Sequence, residues 1–325
     1  VTDAILDPLH YDFFVRALAA SVMVGMVCAV VGSYVVLKGL AFMGDAISHA
    51  AFPGIVVAYL AGRSFYLLGA GIAAIATSLA ITWVSRRGRL RTDTAIGVLF
   101  AGTFAFGVLL FSTIQGYVGD LFHLLFGYLL GISEGDLLAL LVLGAGVLAV
   151  VALLWKELLF STFDPLGAAA SGIRVSWLEY GFMALVAATI VISLQAVGIV
   201  LVVAMLVTPA ATAQLLTVRF GRLMAIAVAV GVGSAVLGLY VSLWFDVASG
   251  ATIVVLQTGL FLAALLLGPR TGLLGRRRPR PLAMAEMAAG SPSPAGVPIS
   301  SAEEAPPTGR ARAVSASTAS PPPES

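Results

Sequence analysis

Apolar runs of about twenty residues recur from residue 13 to residue 268, separated by short polar breaks. Each is long enough to cross a bilayer core of about 30 Å as a helix. That pattern leaves few folds open. Lipid offers the backbone no hydrogen-bond partners, so a crossing segment must satisfy its own N–H and C=O groups, and a helix does so. A transmembrane β-barrel would show short strands of alternating polarity, and none is visible. Residue usage agrees. Of 325 residues, 60% are hydrophobic and 10% charged, against about 45–50% and about 25% in soluble domains. The expected class is all-α: a polytopic helical membrane protein with about eight to nine transmembrane helices.

The runs predict helices over about 13–37, 40–61, 66–84, 94–114 and 136–155, then 223–244 and 250–268. The stretch 178–217 is too long for one crossing and is expected to make two, broken near "QAVG" (195–198). The run "DLFHLLFGYLLG" (120–131) covers about half a crossing and reads as re-entrant or interfacial. Residues 1–12 form an N-terminal segment, 13–268 the transmembrane domain, and 269–325 a basic, then Pro/Ser/Ala-rich tail expected to be disordered. The acidic start lacks the basic n-region of a cleaved signal peptide, so the first run is expected to remain as a spanning helix. The lone Cys28 excludes an internal disulfide and a thiolate metal cluster.

Basic residues predict orientation. "SRRGRLRTD" (85–93) and "PRTGLLGRRRPRP" (269–281) mark the cytoplasmic side. Lys38, Lys156, Arg174, Arg219 and Arg222 join them if nine helices alternate, with Arg63 the exception. Eight crossings would put both termini inside. The basic run 276–280 is expected to meet anionic lipid, with no nucleic-acid partner. The loop 156–177 is then cytoplasmic and reads either as a docking element or as a plain connection. No GxxxxGK[ST] occurs in these 325 residues, so a P-loop ATPase is not expected here. HExxH is absent, and the chain is not expected to be an enzyme.

Against this background the stretch "GDAISHAAFPG" (44–54) stands out. Insertion scales put an aspartate at a helix centre at about +2.5–3.5 kcal/mol, so such a group is retained where it faces a cavity, a partner or an ion. Asp45 and His49 are spaced i, i+4 and share a helix face. Pro53 falls near that face and can kink the helix by removing a bond to the carbonyl of His49. A carboxylate with an imidazole suits Mn²⁺, Zn²⁺ or Fe²⁺ as a transported ion, with no permanently bound cofactor. Two alternatives stay open: a structurally satisfied pair, and a proton relay in a secondary transporter.

Other polar positions are weaker. His123 faces a vestibule or sits at the interface, and His10 lies near the N-terminus. Gln195 lines a pathway or occupies a turn, while Thr208 and Pro209 mark a second broken or kinked helix. Asp93, Asp136 and Asp246 are expected to cap helices.

The residues also carry a resemblance. "VVGSYVVLKGLAFMGDAISHAAFPGIVVAYLAG" (30–62) resembles the signature region of the zinc/manganese-type ABC transporter permeases. The similarity continues through "TDTAIGVLFAGTFAFGVLL" (92–110), "LFGYLLGIS" (125–133), "FDPLGAAASGI" (163–173) and "VGIVLVVAMLVTPAATAQLL" (197–216). It covers about 15–268 and leaves out the tail. It implies an ABC importer transmembrane subunit that works as a homodimer in the cell membrane. It further implies a separate ATP-binding cassette ATPase subunit and an extracytoplasmic metal-binding protein as partners. The family's pathway ligands map onto Asp45 and His49. Its coupling helix maps onto 163–173, which makes Phe163, Asp164, Pro165, Leu166 and Gly167 the expected ATPase-docking residues.

Overall fold

The structure is a computed structural model, and it describes residues 7–61, 66–88, 90–113 and 129–268. The chain divides into residues 1–276 and 277–325. The second unit, with the whole tail 269–325, lies outside the described residues, as do His123 and Arg63.

Among the described residues ten α-helices follow in order: α1 (Asp12–Leu37), α2 (Ala41–Ala61), α3 (Tyr66–Arg87), α4 (Thr92–Phe111), α5 (Glu134–Leu153), α6 (Trp155–Phe163), α7 (Pro165–Ala170), α8 (Val175–Leu216), α9 (Phe220–Phe245) and α10 (Ser249–Leu267). Short 3₁₀ turns precede α1 and α5. No strand occurs among the described residues. Eight of these helices are long and apolar enough to cross a membrane. The segment 120–131 is described only from Leu129 to Gly131, a single 3₁₀ turn.

Helix α8 has 42 residues. Straight, it would run roughly 63 Å, about twice the bilayer core. It does not run straight, because Gly198 adopts φ 77°, ψ 169°, inside an otherwise helical segment. That left-handed φ is open to glycine at little cost. The ring of Tyr34, near the end of α1, lies 6.1 Å from Phe182 and 4.9 Å from Phe220. Residues on both sides of α8 therefore meet one end of α1. The middle of α8 sits at the other end, where Gln195 Nε2 donates to Asp136 Oδ1 at 2.8 Å in the first turn of α5. The two arms, 175–197 and 199–216, thus run in opposite directions.

Small residues let the helices touch. A Cβ on Gly54 of α2 would run into the backbone of Gly69 on α3, and one on Gly69 into that of Gly54. Ala58 and Ala73 flank the same contact. This small-xxx-small approach replaces the hydrophobic drive that lipid cannot supply. Gly32 meets the backbone of Leu206 in the same manner, and Gly25 that of Gly231. Hydroxyls inside the bundle bond back to their own helix: Ser33 to the Ala29 carbonyl at 2.7 Å, Ser48 to that of Gly44 at 2.8 Å, and Thr82 to that of Ser78 at 2.9 Å.

Two capping expectations are corrected and a third is met. Helix α4 begins at Thr92 after Arg91, so Asp93 sits in the first turn rather than at the cap. Ser133 caps α5, accepting from the Asp136 N–H at 3.2 Å and donating to Asp136 Oδ2 at 2.6 Å. Asp136 is the third residue of the helix, and its Oδ1 stays free to receive Gln195. Asp246 is a cap as expected, closing the end of α9 in the left-handed region (φ 52°). Pro209 does not break its arm, since Gly198 is the residue of α8 with non-helical angles.

Candidate functional site

Helix α2 is buried around most of its circumference, with Met43, Gly44, Ala46, Ile47, Ser48, Ala50 and Ala51 all inside. One stripe escapes. Phe42 is 75% exposed, and the side chains of Asp45 and His49 retain 48% and 25%. The i, i+4 spacing places His49 Nε2 3.5 Å from Asp45 Oδ1. That exceeds the usual N–H···O range of about 2.7–3.2 Å, so the two groups stand side by side without locking onto each other.

Two rings from α4 fix the imidazole. Phe100 and Phe104 each approach it edge-on, with centroids 5.3 Å away and interplanar angles of 66° and 84°. They also stack on each other at 6.2 Å, and Phe52 and Phe111 continue the aromatic column. The Nδ1 atom of His49 is buried without a hydrogen-bond partner, so Nε2 is the nitrogen turned toward Asp45. The sequence reading missed Phe100 and Phe104. Their i, i+4 spacing in α4 was the available signal, but nothing in sequence pairs α4 with α2.

Pro53 is not on the open stripe. It is buried and packs at Gly107 of α4, where a Cβ would stand 3.0 Å from Pro53 Cδ. Helix α2 continues through it to Ala61. Gln195 is tied to Asp136 at the opposite end of the bundle from Tyr34. Thr208 lends its carbonyl to the Thr212 hydroxyl at 2.7 Å, and Pro209 is buried. It is Leu206, two residues earlier, that packs on Gly44 beside Asp45. Among the described residues no group of three His, Cys, Asp or Glu side chains gathers to hold a metal.

A second constellation lies at the basic end. Asp164 caps α7, accepting from the Gly167 N–H at 2.8 Å, with Pro165 opening the helix. The flanking Phe163 and Leu166 are 60% and 83% exposed. Beside them Arg86, ending α3, pairs with Glu179 and donates to Ser176 Oγ at 2.7 Å. Lys38 lies over the Phe182 ring at 5.6 Å. Burial lowers the pKa of Lys38, partly offset by Glu179. A cavity of about 360 Å³ opens among these groups, lined by Lys38, Arg86, Glu179, Pro165 and Met43.

A bundle of long apolar helices, with a polar stripe on one buried helix and a short capped helix with exposed apolar side chains at its basic end, defines a multi-pass membrane protein. The chain belongs to the ABC 3 transport family, whose pattern matches residues 10–268. It is 47% identical over 268 residues to the manganese transport system membrane protein MntC of Halalkalibacterium halodurans, covering 82% of this chain and 91% of that one. It is 41% identical over 275 residues to the chelated iron transport system membrane protein YfeC of Yersinia pestis, covering 85% and 93%. In three dimensions it resembles PsaBC from Streptococcus pneumoniae in complex with Fab. The TM-score is 0.75 at 33% identity, over 86% of this chain and 100% of that one. Membership of this family places the chain in the plasma membrane as a multi-pass protein.

Proposed function

We propose that this chain is the permease subunit of an ABC importer for a divalent transition metal, with Asp45 and His49 as the ligands that pass the ion. The observation that carries the reading is the 3.5 Å between Asp45 Oδ1 and His49 Nε2. Two ligand atoms bound about 2.1 Å from one ion stand about 3.0–3.4 Å apart for angles between square and tetrahedral. The pair therefore matches the bite of a single ion with little adjustment. The relatives named for manganese and iron transport support a metal of that class, and Asp plus His does not favour zinc over either.

Two protein ligands hold an ion loosely, as transport requires. The stripe at Phe42, Asp45 and His49 is left partly open by its own protomer, which suits a second copy contributing another Asp–His pair. Phe163, Asp164, Pro165, Leu166 and Gly167 form the surface for a separate ATPase subunit. The support is two exposed apolar side chains on a rigidly capped turn at the basic end. An extracytoplasmic metal-binding protein delivers the ion to the other end. The proton-relay alternative has no comparable geometric support.

Uptake of radioactive Mn²⁺ by cells or proteoliposomes carrying the Asp45→Ala/His49→Ala double variant tests the assignment. Accumulation should fall to background while assembly with the ATPase persists. Undiminished uptake sinks it.

A further inference from the structure

A second cavity, apart from the Asp45–His49 stripe, lies where α5 and α6 meet the start of α8. Its volume is about 330 Å³, within the usual ligand-pocket range of about 300–1,000 Å³. Val150, Leu154, Leu158, Leu178 and Leu185 form its walls. Leu185 lies ten residues into α8, roughly 15 Å along the helix axis. The groove therefore runs from the basic end into the hydrocarbon zone.

The rim is of a different kind. Arg174 and Glu157 stand there together, yet no ion pair joins them and neither has a charged partner among the described residues. One carboxylate oxygen of Glu157, Oε2, is buried with no hydrogen-bond donor. A buried carboxylate oxygen without a donor is costly, more so than a neutral acceptor. Trp177 also lines the rim and is 74% exposed, the placement of an indole at the headgroup level.

We propose that this groove holds one phosphatidylethanolamine of the cytoplasmic leaflet. Its phosphate lies on Arg174, its ammonium on Glu157, and an acyl chain along the leucine wall. Charge complementarity selects the occupant: the rim offers one cation and one anion, and this headgroup offers their opposites, with N–H donors for the unpartnered oxygen. Phosphatidylcholine carries the same phosphate but a trimethylated nitrogen that cannot donate. Phosphatidylglycerol brings a net negative charge toward Glu157. A soluble partner subunit reaches the rim but not the floor, because Leu185 lies within the span. The site is independent of the metal pathway.

The test is native mass spectrometry of the full chain released from nanodiscs of equimolar phosphatidylethanolamine, phosphatidylcholine and phosphatidylglycerol. Retention of phosphatidylethanolamine should exceed that of phosphatidylcholine about tenfold, the effect of one hydrogen bond to a charged group. Glu157→Gln should erase that preference while both lipids still bind. Arg174→Ala should lower retention of both, since both carry the phosphate. Equal retention of the first two lipids by the unmodified chain overturns the proposal. So does a preference that survives Glu157→Gln, or phosphatidylglycerol retained above phosphatidylethanolamine. The comparison on the unmodified chain decides the matter even where a variant fails to fold.

Discussion

The Nε2 of His49 stands 3.5 Å from Oδ1 of Asp45 on the one stripe of α2 that its own protomer leaves open. A helix otherwise buried on nearly every side thus leaves a carboxylate and an imidazole side by side on its open face. On the proposed role, a passing cation offsets the cost of retaining an aspartate in a spanning helix.

Charge, rather than shape, should matter most at Asp45. Asp45→Asn keeps the side chain's size and removes the anionic ligand. Mn²⁺ uptake is expected to fall by at least about tenfold, the effect of a hydrogen bond or ligand contact to a charged group. Membrane insertion, followed by fluorescence-detected gel filtration, should be unchanged.

The two rings against His49 should act through it. Phe104→Ala removes one edge contact at 5.3 Å, a pair interaction worth about 0.5–1.5 kcal/mol. The imidazole gains freedom, so the metal concentration for half-maximal uptake should rise while protein abundance holds. Phe104→Tyr should restore the parental value.

Neighbouring glycines of α3 should respond in opposite ways. Gly69→Ala drives a methyl into the backbone of Gly54, whereas Gly71 has open space around it. Gly69→Ala should lower the melting temperature in detergent. Gly71→Ala should leave it unchanged or raise it, since alanine is favoured in a helix by about 0.5–1 kcal/mol.

The cap on α7 should matter for docking more than for folding. Asp164→Ala leaves the Gly167 N–H without its acceptor, a loss of about 0.5–2 kcal/mol for a cap confined to six residues. ATPase stimulation by the assembled complex should drop, and Asp164→Asn, which can still accept that bond, should retain it.

Lys38 predicts a pH effect of definite sign. Burial lowers its pKa from the ordinary 10.5. Between the lowered value and 10.5 the unfolded chain binds more protons than the folded one, so stability rises with pH through that window. Melting curves taken across it should show the rise, and Lys38→Met should flatten it.

The sequence by itself determined the class, the order of the helices and the polar pair. Continuous hydrophobic runs of this length become helices in lipid because no other single segment satisfies its own backbone, and the i, i+4 spacing of Asp45 and His49 fixes a shared face from helix geometry alone. It also located the break near 195–198, because a run of that length cannot stay within a bilayer. What it could not show were relations between helices. The expected caps shifted because Ser133, not Asp136, reached the free N–H groups, which left Asp136 to bind Gln195 from another helix. Pro53 left the open stripe because Gly107 offered it room on α4. Phe100 and Phe104 meet His49, and Arg86 meets Glu179, across separations that carry no local signal. Only tertiary packing decided these contacts, since in lipid the choice among apolar helix faces rests on close fit at small residues, and fit is a property of two surfaces together.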